Sequence, residues 1–295
     1  MYLPFLVEPW IEYGIGVCVL FLRYFAREFR GWEGDDYLAV LALVLWTFMP
    51  SFWHVIREYG IFSSLPDEDR PTLTPLQIAR YEYSSKLFIT ARILYVTLIW
   101  TLKGCLLFFY NRIVQGLKQQ VLVKWAAVVC VLFYLGALAT IWGHCTPASK
   151  NWQIMPYPGD ESVYSRIYFL VLMALNISTD VIILIIPLTW FPMLRIPVWH
   201  KIAIGLLLCS GVFAIIAAIV RCILALRDIK SFNNTVMWAI REMFIGIFIV
   251  NAAVIKPVFS KRFWFGTRED NNAARSIWGH HNHHNCSPNT SDSLV

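Results

Sequence analysis

Residues 125–143 read WAAVVCVLFYLGALATIWG, a stretch of nineteen residues that contains no charged side chain. As an α-helix this stretch would be about 28 Å long, because each residue adds roughly 1.5 Å along the axis. That length matches the hydrocarbon core of a lipid bilayer, which is about 30 Å thick. The stretch therefore predicts a helix that crosses a membrane.

Six further apolar stretches of similar length surround this one along the chain: 11–25, 37–55, 87–110, 168–190, 202–220 and 238–255. The first is the shortest, with Glu12 and Arg23 near its ends, where long side chains can reach the membrane interface. Six spans remain if this first stretch does not cross. The pattern predicts an all-α fold, a polytopic membrane bundle of seven transmembrane helices.

The composition agrees with a membrane protein and excludes several other classes. The chain is 58% hydrophobic and 15% charged, whereas soluble domains are roughly 45–50% apolar and about 25% charged. Basic residues lie at the ends of the spans and form no stripe, so nucleic acid is not an expected partner despite the net charge of +6. The expected partner is the lipid bilayer.

No arrangement of residues points to an enzyme, a metal or another cofactor. The seven cysteines are isolated and form no CxxC pair, and no catalytic triad, carboxylate pair or phosphate-binding glycine loop is apparent. The histidine-rich run 279–286 lies in a polar tail, which favours a solvated stretch over a soft-metal site. We therefore expect no enzymatic activity, no metal and no cofactor.

Lysine and arginine residues in the connecting segments indicate the orientation. With the N-terminus outside, twelve of them flank the cytoplasmic ends of the spans and eight flank the outer ends, the bias that cytoplasmic loops show. We expect a short extracellular N-terminus over 1–10, a transmembrane domain over 11–263 and a disordered cytoplasmic tail over 264–295. The sequon at Asn233 then lies outside and is a candidate for glycosylation.

Ionisable residues within the spans are the best candidates for a functional site. Each costs about 2.5–3.5 kcal/mol at mid-membrane, so it needs a partner or a wet cavity. Lys103 lies roughly 6 Å to the cytoplasmic side of its span's midpoint, and Asp180 lies at a similar depth. We expect these two side chains to pair if the third and fifth helices adjoin, with Asn176 completing the hydrogen bonding from the same helix face.

A second group of ionisable residues lies toward the outer halves of the spans. It comprises Arg92, Arg221 and Glu242, and we expect Glu242 to neutralise one or both arginines. Arg241 should point elsewhere and reach the interface. Three roles stay open for these groups: fastening helices together, forming a ligand pocket or switch, and conducting protons or ions.

The chain resembles the fungal rhodopsin-like-domain integral membrane proteins, orphan proteins that are similar to G-protein-coupled receptors. The resemblance runs from about Gly31 to Phe263 and rests on the order and spacing of several short features. These are Gly31-Trp32, Asp35-Asp36-Tyr37, Lys103, 106–112, Trp142, Cys145, Pro147, Trp152, Asn176, Asp180, Pro187, Arg221, Glu242 and Lys256-Pro257.

The resemblance implies a receptor-like sensor of an external small molecule, most simply in the plasma membrane. The ligand would lie near Arg92, Arg221 and Glu242, and a cytoplasmic signalling partner would meet basic residues at the inner face. Retinal is not expected, because the seventh span has no lysine in its middle. A transporter or accessory membrane protein for a metabolite is the alternative.

Overall fold

The structure is a computed structural model that describes residues 3–28, 32–60, 72–116, 118–143, 145, 147–155, 166–190, 198–227 and 232–255. These residues form seven long α-helices and one 3-10 turn, with no β-strand in the described ranges. The helices are α1 (Leu3–Glu28), α2 (Gly34–Tyr59), α3 (Pro75–Ile113), α4 (Gln120–Gly143), α5 (Arg166–Trp190), α6 (Val198–Arg227) and α7 (Phe232–Ile255), and the 3-10 turn is Ala148–Asn151.

Two helices begin at capping boxes that the local sequence explains. Thr74 caps α3 by accepting a hydrogen bond from the backbone of Gln77, while the Gln77 side chain accepts one from the Thr74 backbone. Pro75 occupies the first helical position, where its missing N–H leaves no bond unmade. Glu33 and Asp36 make the corresponding reciprocal contacts at the start of α2.

The first helix differs from the expectation. It begins at Leu3, within the stretch 1–10 that was expected to precede the first span, and it runs through Pro9 to Glu28. Glu8 lies in this extension, and its carboxylate is 2.7 Å from Arg241 Nε of α7. That partner offsets the charge of Glu8 in this part of the helix.

Helix α3 is the central element of the bundle. It packs against α2, α4 and α5, and its residues between Tyr95 and Cys105 are almost all buried. A helix enclosed by neighbours is apolar on every side, which explains why α3 lacks a clear polar face. Trp46 of α2 and Ile247 of α7 are fully buried in the same core.

Among the residues that the structure describes, four helices are long and apolar enough to cross a membrane: they lie within Gly34–Tyr59, Pro75–Ile113, Gln120–Gly143 and Ile167–Thr189. A shorter apolar stretch, Gly211–Leu224, is described in α6. The outer surface of the bundle is also apolar: Trp125, Val131 and Ile167 are 66%, 58% and 71% exposed. Apolar surface of this extent is stable in lipid and not in water, so the fold is a helical membrane bundle.

Two expectations concern the end of α7 and the residues after it. Asn233 lies in the first turn of α7, which begins at Phe232, and its glycosylation stays a prediction. The tail 264–295 lies outside the described residues.

The contact between α1 and α2 makes a specific prediction about stability. A Cβ atom added at Gly16 would lie 2.7 Å from the indole nitrogen of Trp46, whereas one added at Gly14 meets nothing within 4 Å. Both substitutions to alanine raise helix propensity equally, so their difference isolates packing. We expect Gly16→Ala to be less stable than Gly14→Ala by about 1–3 kcal/mol, measured by unfolding in detergent. Equal stabilities would contradict this close packing.

Candidate functional site

Lys103 lies deep in the bundle and is surrounded by acceptors from a single neighbouring helix. Its Nζ is 2.9 Å from Asp180 Oδ1, and it donates to the backbone oxygen of Asn176 at 2.7 Å and to Thr179 Oγ1 at 2.5 Å. An ammonium group has three N–H donors, and α5 supplies an acceptor for each. The pair expected from depth along the helices is therefore present, with Thr179 as an additional partner.

Glu242 of α7 is the second charged centre, and three helices provide its donors. Arg221 Nε of α6 donates to Oε2 at 2.7 Å, and the Tyr95 hydroxyl of α3 donates to the same oxygen at 2.8 Å. Asn176 Nδ2 of α5 donates to Oε1 at 2.9 Å. Of the two arginines expected near Glu242, Arg221 is thus the one it pairs with.

Asn176 joins the two charged centres into one network. Its backbone oxygen accepts from Lys103, and its side-chain amide donates to Glu242. The sequence led us to expect this side chain to complete the bonding of Asp180, but it points to the other carboxylate. We call this set the central network: Tyr95, Lys103, Asn176, Thr179, Asp180, Arg221 and Glu242.

The charges of the central network balance. It contains two cations, Lys103 and Arg221, and two carboxylates, Asp180 and Glu242, all of them largely buried. Burying an ion without a partner would cost several kcal/mol, so each cation requires the opposite charge that it contacts. The side-chain oxygen of Asn176 is the one acceptor of the network that is buried without a hydrogen-bond partner.

Arg92 does not join the central network, so of the two expected alternatives Glu242 neutralises one arginine, Arg221, and not both. Within the described part of the chain, its guanidinium contacts aromatic rings, with Cζ 4.3 Å from the centre of Phe88 and 4.7 Å from that of Tyr168. A cation over the face of an aromatic ring is stabilised by the ring's quadrupole. Both oxygens of Glu242 already accept hydrogen bonds, from Arg221, Tyr95 and Asn176.

A second group of charges lies at the end of the bundle where α1 ends and α2 begins. Arg23 is fully buried, and its guanidinium lies 2.6 Å from Asp35 and 3.0 Å from Asp36. It also donates to Asn251 Oδ1 of α7 at 3.4 Å. The expectation that Arg23 reaches the membrane interface was therefore wrong, because two carboxylates hold it inside.

Three more residues extend this group toward the surface. Arg27 lies 2.9 Å from Asp35, and it shares Glu33 with Arg112 at the end of α3. We call the whole set the end cluster: Arg23, Arg27, Glu33, Asp35, Asp36, Arg112 and Asn251. The two aspartates also lie in the first turn of α2, where negative charge stabilises a helix N-terminus.

The sequence contained signals for the residues that were missed. Asp35 and Asp36 open one helix, and Arg23 and Arg27 close the preceding one, so opposite charges meet at the same end of the bundle. Tyr95 lies in the middle of its helix, away from the interfaces where membrane tyrosines usually lie, which indicates a polar partner inside.

The described residues include no group of three or more side chains that could hold a metal ion. The described contacts of the two clusters are ion pairs and hydrogen bonds. Such groups can hold helices together, or they can exchange partners when a helix moves.

The pairing of Lys103 with Asp180 predicts a thermodynamic coupling. Replacing either residue alone by alanine leaves an unpaired charge in the core, and we expect each change to cost about 3–5 kcal/mol. The double variant removes both charges and should recover part of the loss. Folded yield and unfolding in detergent measure these effects.

An exposed pair on the same helix serves as the control for that cycle. Lys86 and Glu82 lie 2.7 Å apart at the surface of α3, where an ion pair contributes less than about 1 kcal/mol. Alanine at either position should change stability little. Strictly additive losses for Lys103 and Asp180 would contradict a direct interaction between them.

Comparison with known proteins agrees with this architecture. Residues 20–261 match the family model described as the fungal rhodopsin domain. A SAT4 family membrane protein of Emericella nidulans is 24% identical over 199 residues, a match that covers 65% of this chain and 50% of that relative. The chain thus spans about half the length of this curated relative.

No solved structure matches the chain. The family match covers both charged groups, from Arg23 in α1 to Asn251 in α7. The protein therefore belongs to the fungal rhodopsin domain family of membrane proteins.

Proposed function

We propose that this membrane protein is a receptor-like sensor of an external small molecule, acting in the plasma membrane without retinal. In this proposal α1 to α7 each cross the bilayer once, and the N-terminus lies outside. The end cluster then faces the cytoplasm, and Arg92 lies on the outer side of the central network.

The observation that carries the proposal is that two layers of buried charge share the same two helices. Helix α3 supplies Lys103 to the central network and Arg112 to the end cluster, and α7 supplies Glu242 and Asn251. A shift of α3 therefore disturbs ion pairs at both depths, and a shift of α7 disturbs an ion pair at one depth and a hydrogen bond at the other. If the helices have two packings of similar free energy, a ligand that binds one of them better shifts the protein toward that packing.

The outer ligand is best placed near Arg92. The charges of the central network already satisfy one another, whereas the described contacts of Arg92 are with aromatic rings. A polar or anionic small molecule could pair with this guanidinium and stack on the rings. On the cytoplasmic side, Lys118 and Lys201 are the basic residues that an acidic signalling partner would meet in this proposal.

The orientation makes a prediction that does not depend on the ligand. A protease added outside sealed cells should remove a tag placed before Met1 and leave a tag placed after Val295 intact. The opposite pattern would invert the positions of Arg92 and the end cluster, and it would contradict an external ligand at Arg92.

The switch itself can be tested through Cys105 of α3. This thiol is buried and donates to the backbone oxygen of Asp35 in the end cluster. In a variant that keeps Cys105 as its only cysteine, Glu242→Gln removes the charge that neutralises Arg221. We expect a water-soluble maleimide to label Cys105 several-fold faster, because a change in the central network alters packing at the end cluster.

Arg241→Gln is the matched control. Arg241 is next to Glu242 in the chain, but its side chain is 38% exposed and pairs with Glu8 outside the central network. This variant should leave the labelling rate unchanged. Equal rates for Glu242→Gln and the parent would contradict communication between the two layers. Net flux of a metabolite into vesicles that carry the protein would instead favour a transporter.

A further inference from the structure

An apolar groove lies between α2, α3 and α4, apart from the charged residues of both clusters. Its volume is about 500 Å³. We call it the α2–α4 groove and define it by Leu38, Gly104, Leu107, Val123, Ala127 and Val131, which line it. Val131 is largely exposed, so the groove opens on the outer surface of the bundle, where lipid surrounds the protein.

The groove extends from one membrane interface to the middle of the bilayer. Asn111 and Lys124 line one end, close to where α3 ends at Ile113 and α4 begins at Gln120. Tyr134 lines the other end, and the ten residues from Lys124 to Tyr134 span about 15 Å of helix. That distance is half of the roughly 30 Å hydrocarbon core, which is the depth of one leaflet.

The polar groups of the groove are distributed unevenly. Deep inside, the hydroxyls satisfy one another or the backbone: Thr97 and Tyr134 lie 3.1 Å apart, and Thr101 donates to the Thr97 backbone oxygen at 2.7 Å. The deep wall therefore offers an apolar surface to an occupant. Such a surface fits a hydrocarbon chain.

The interfacial end of the groove carries positive charge. Lys124 is exposed, and no carboxylate of the described ranges lies within ion-pair distance of its ammonium. Arg112 near the same end is already paired with Glu33. Lys124 is therefore available to an anion at the level of the lipid headgroups.

We propose that the α2–α4 groove binds one acidic phospholipid from the adjacent leaflet. The phosphate-containing headgroup contacts Lys124, and one acyl chain lies along Val123, Ala127 and Val131 toward Tyr134. The site requires only that the bundle lies in a membrane, so it is independent of the receptor proposal. If the N-terminus lies outside, the lipid comes from the cytoplasmic leaflet, which is rich in anionic lipids.

Native mass spectrometry of the detergent-purified protein tests this site. Phosphatidylserine and phosphatidylcholine with identical acyl chains are added separately, and the fraction of protein that retains one lipid is measured. We expect the parent protein to retain phosphatidylserine about fivefold more strongly, since one basic residue near the headgroups favours an anionic lipid by about that factor. Lys124→Gln should abolish this preference.

Two further variants separate the acyl-chain site from general surface charge. Ala127→Phe fills the groove and should reduce retention of both lipids. Lys118→Gln removes an exposed positive charge of the same α3–α4 connection outside the groove, and it should retain lipid as the parent does. Lys124 is exposed, so the Lys124→Gln variant should fold normally. It therefore tests the headgroup contact even if Ala127→Phe does not fold.

Several results would overturn the proposal. Unchanged phosphatidylserine retention in Lys124→Gln would exclude the headgroup contact, and a loss with Ala127→Phe alone would indicate a neutral lipid in the groove. An equal loss in Lys118→Gln would indicate nonspecific attraction to a basic surface. Equal retention of the two lipids by the parent protein would contradict selection by charge.

Discussion

The free-energy cost of an unpaired charge in hydrocarbon constrains the whole bundle. Lys103 can remain ionised inside it only because α5 supplies an acceptor for each of its N–H donors. Glu242 is held in the same way by donors from α3, α5 and α6. These contacts decide which helices adjoin and at what depth, because a slip of one turn would leave ions without partners.

The same constraint operates again at the end of the bundle. Arg23 is buried between two aspartates, and Asn251 of α7 closes the group. The spacing between the two layers is equal on the two helices that join them: Lys103 precedes Arg112 by nine residues, and Glu242 precedes Asn251 by nine. Each interval corresponds to roughly 14 Å of helix. On both α3 and α7, therefore, the same length of helix separates the two polar layers.

Hydropathy predicted that each apolar stretch forms a helix, although α1 begins at Leu3 and not near residue 11. The Lys103–Asp180 pair follows from depth alone, given that α3 and α5 adjoin. Depth does not say which way around the helix axis a side chain points. Arg92 and Arg221 were both expected toward the outer halves of their spans, and only the packing of the helices decides that Arg221 meets Glu242 while Arg92 stacks on Phe88.

The charges near helix ends were misjudged for a different reason. A long side chain such as that of Arg23 can reach water from the end of a span. For this reason the sequence alone does not predict a buried partner for Arg23. The neighbouring helix removes that route, because Asp35 and Asp36 begin α2 beside it. The basic residues at the end of α1 therefore predict a buried ion pair only when they are considered together with the acidic residues at the start of α2.

One side chain connects the central network with the α2–α4 groove. Trp100 lines the groove, and its ring centre lies 5.1 Å from the ammonium of Lys103, which is within the range of a cation–π contact. An acyl chain in the groove would restrict the positions open to this indole. In the lipid proposal, the acyl chain and the ammonium of Lys103 would therefore both contact this indole.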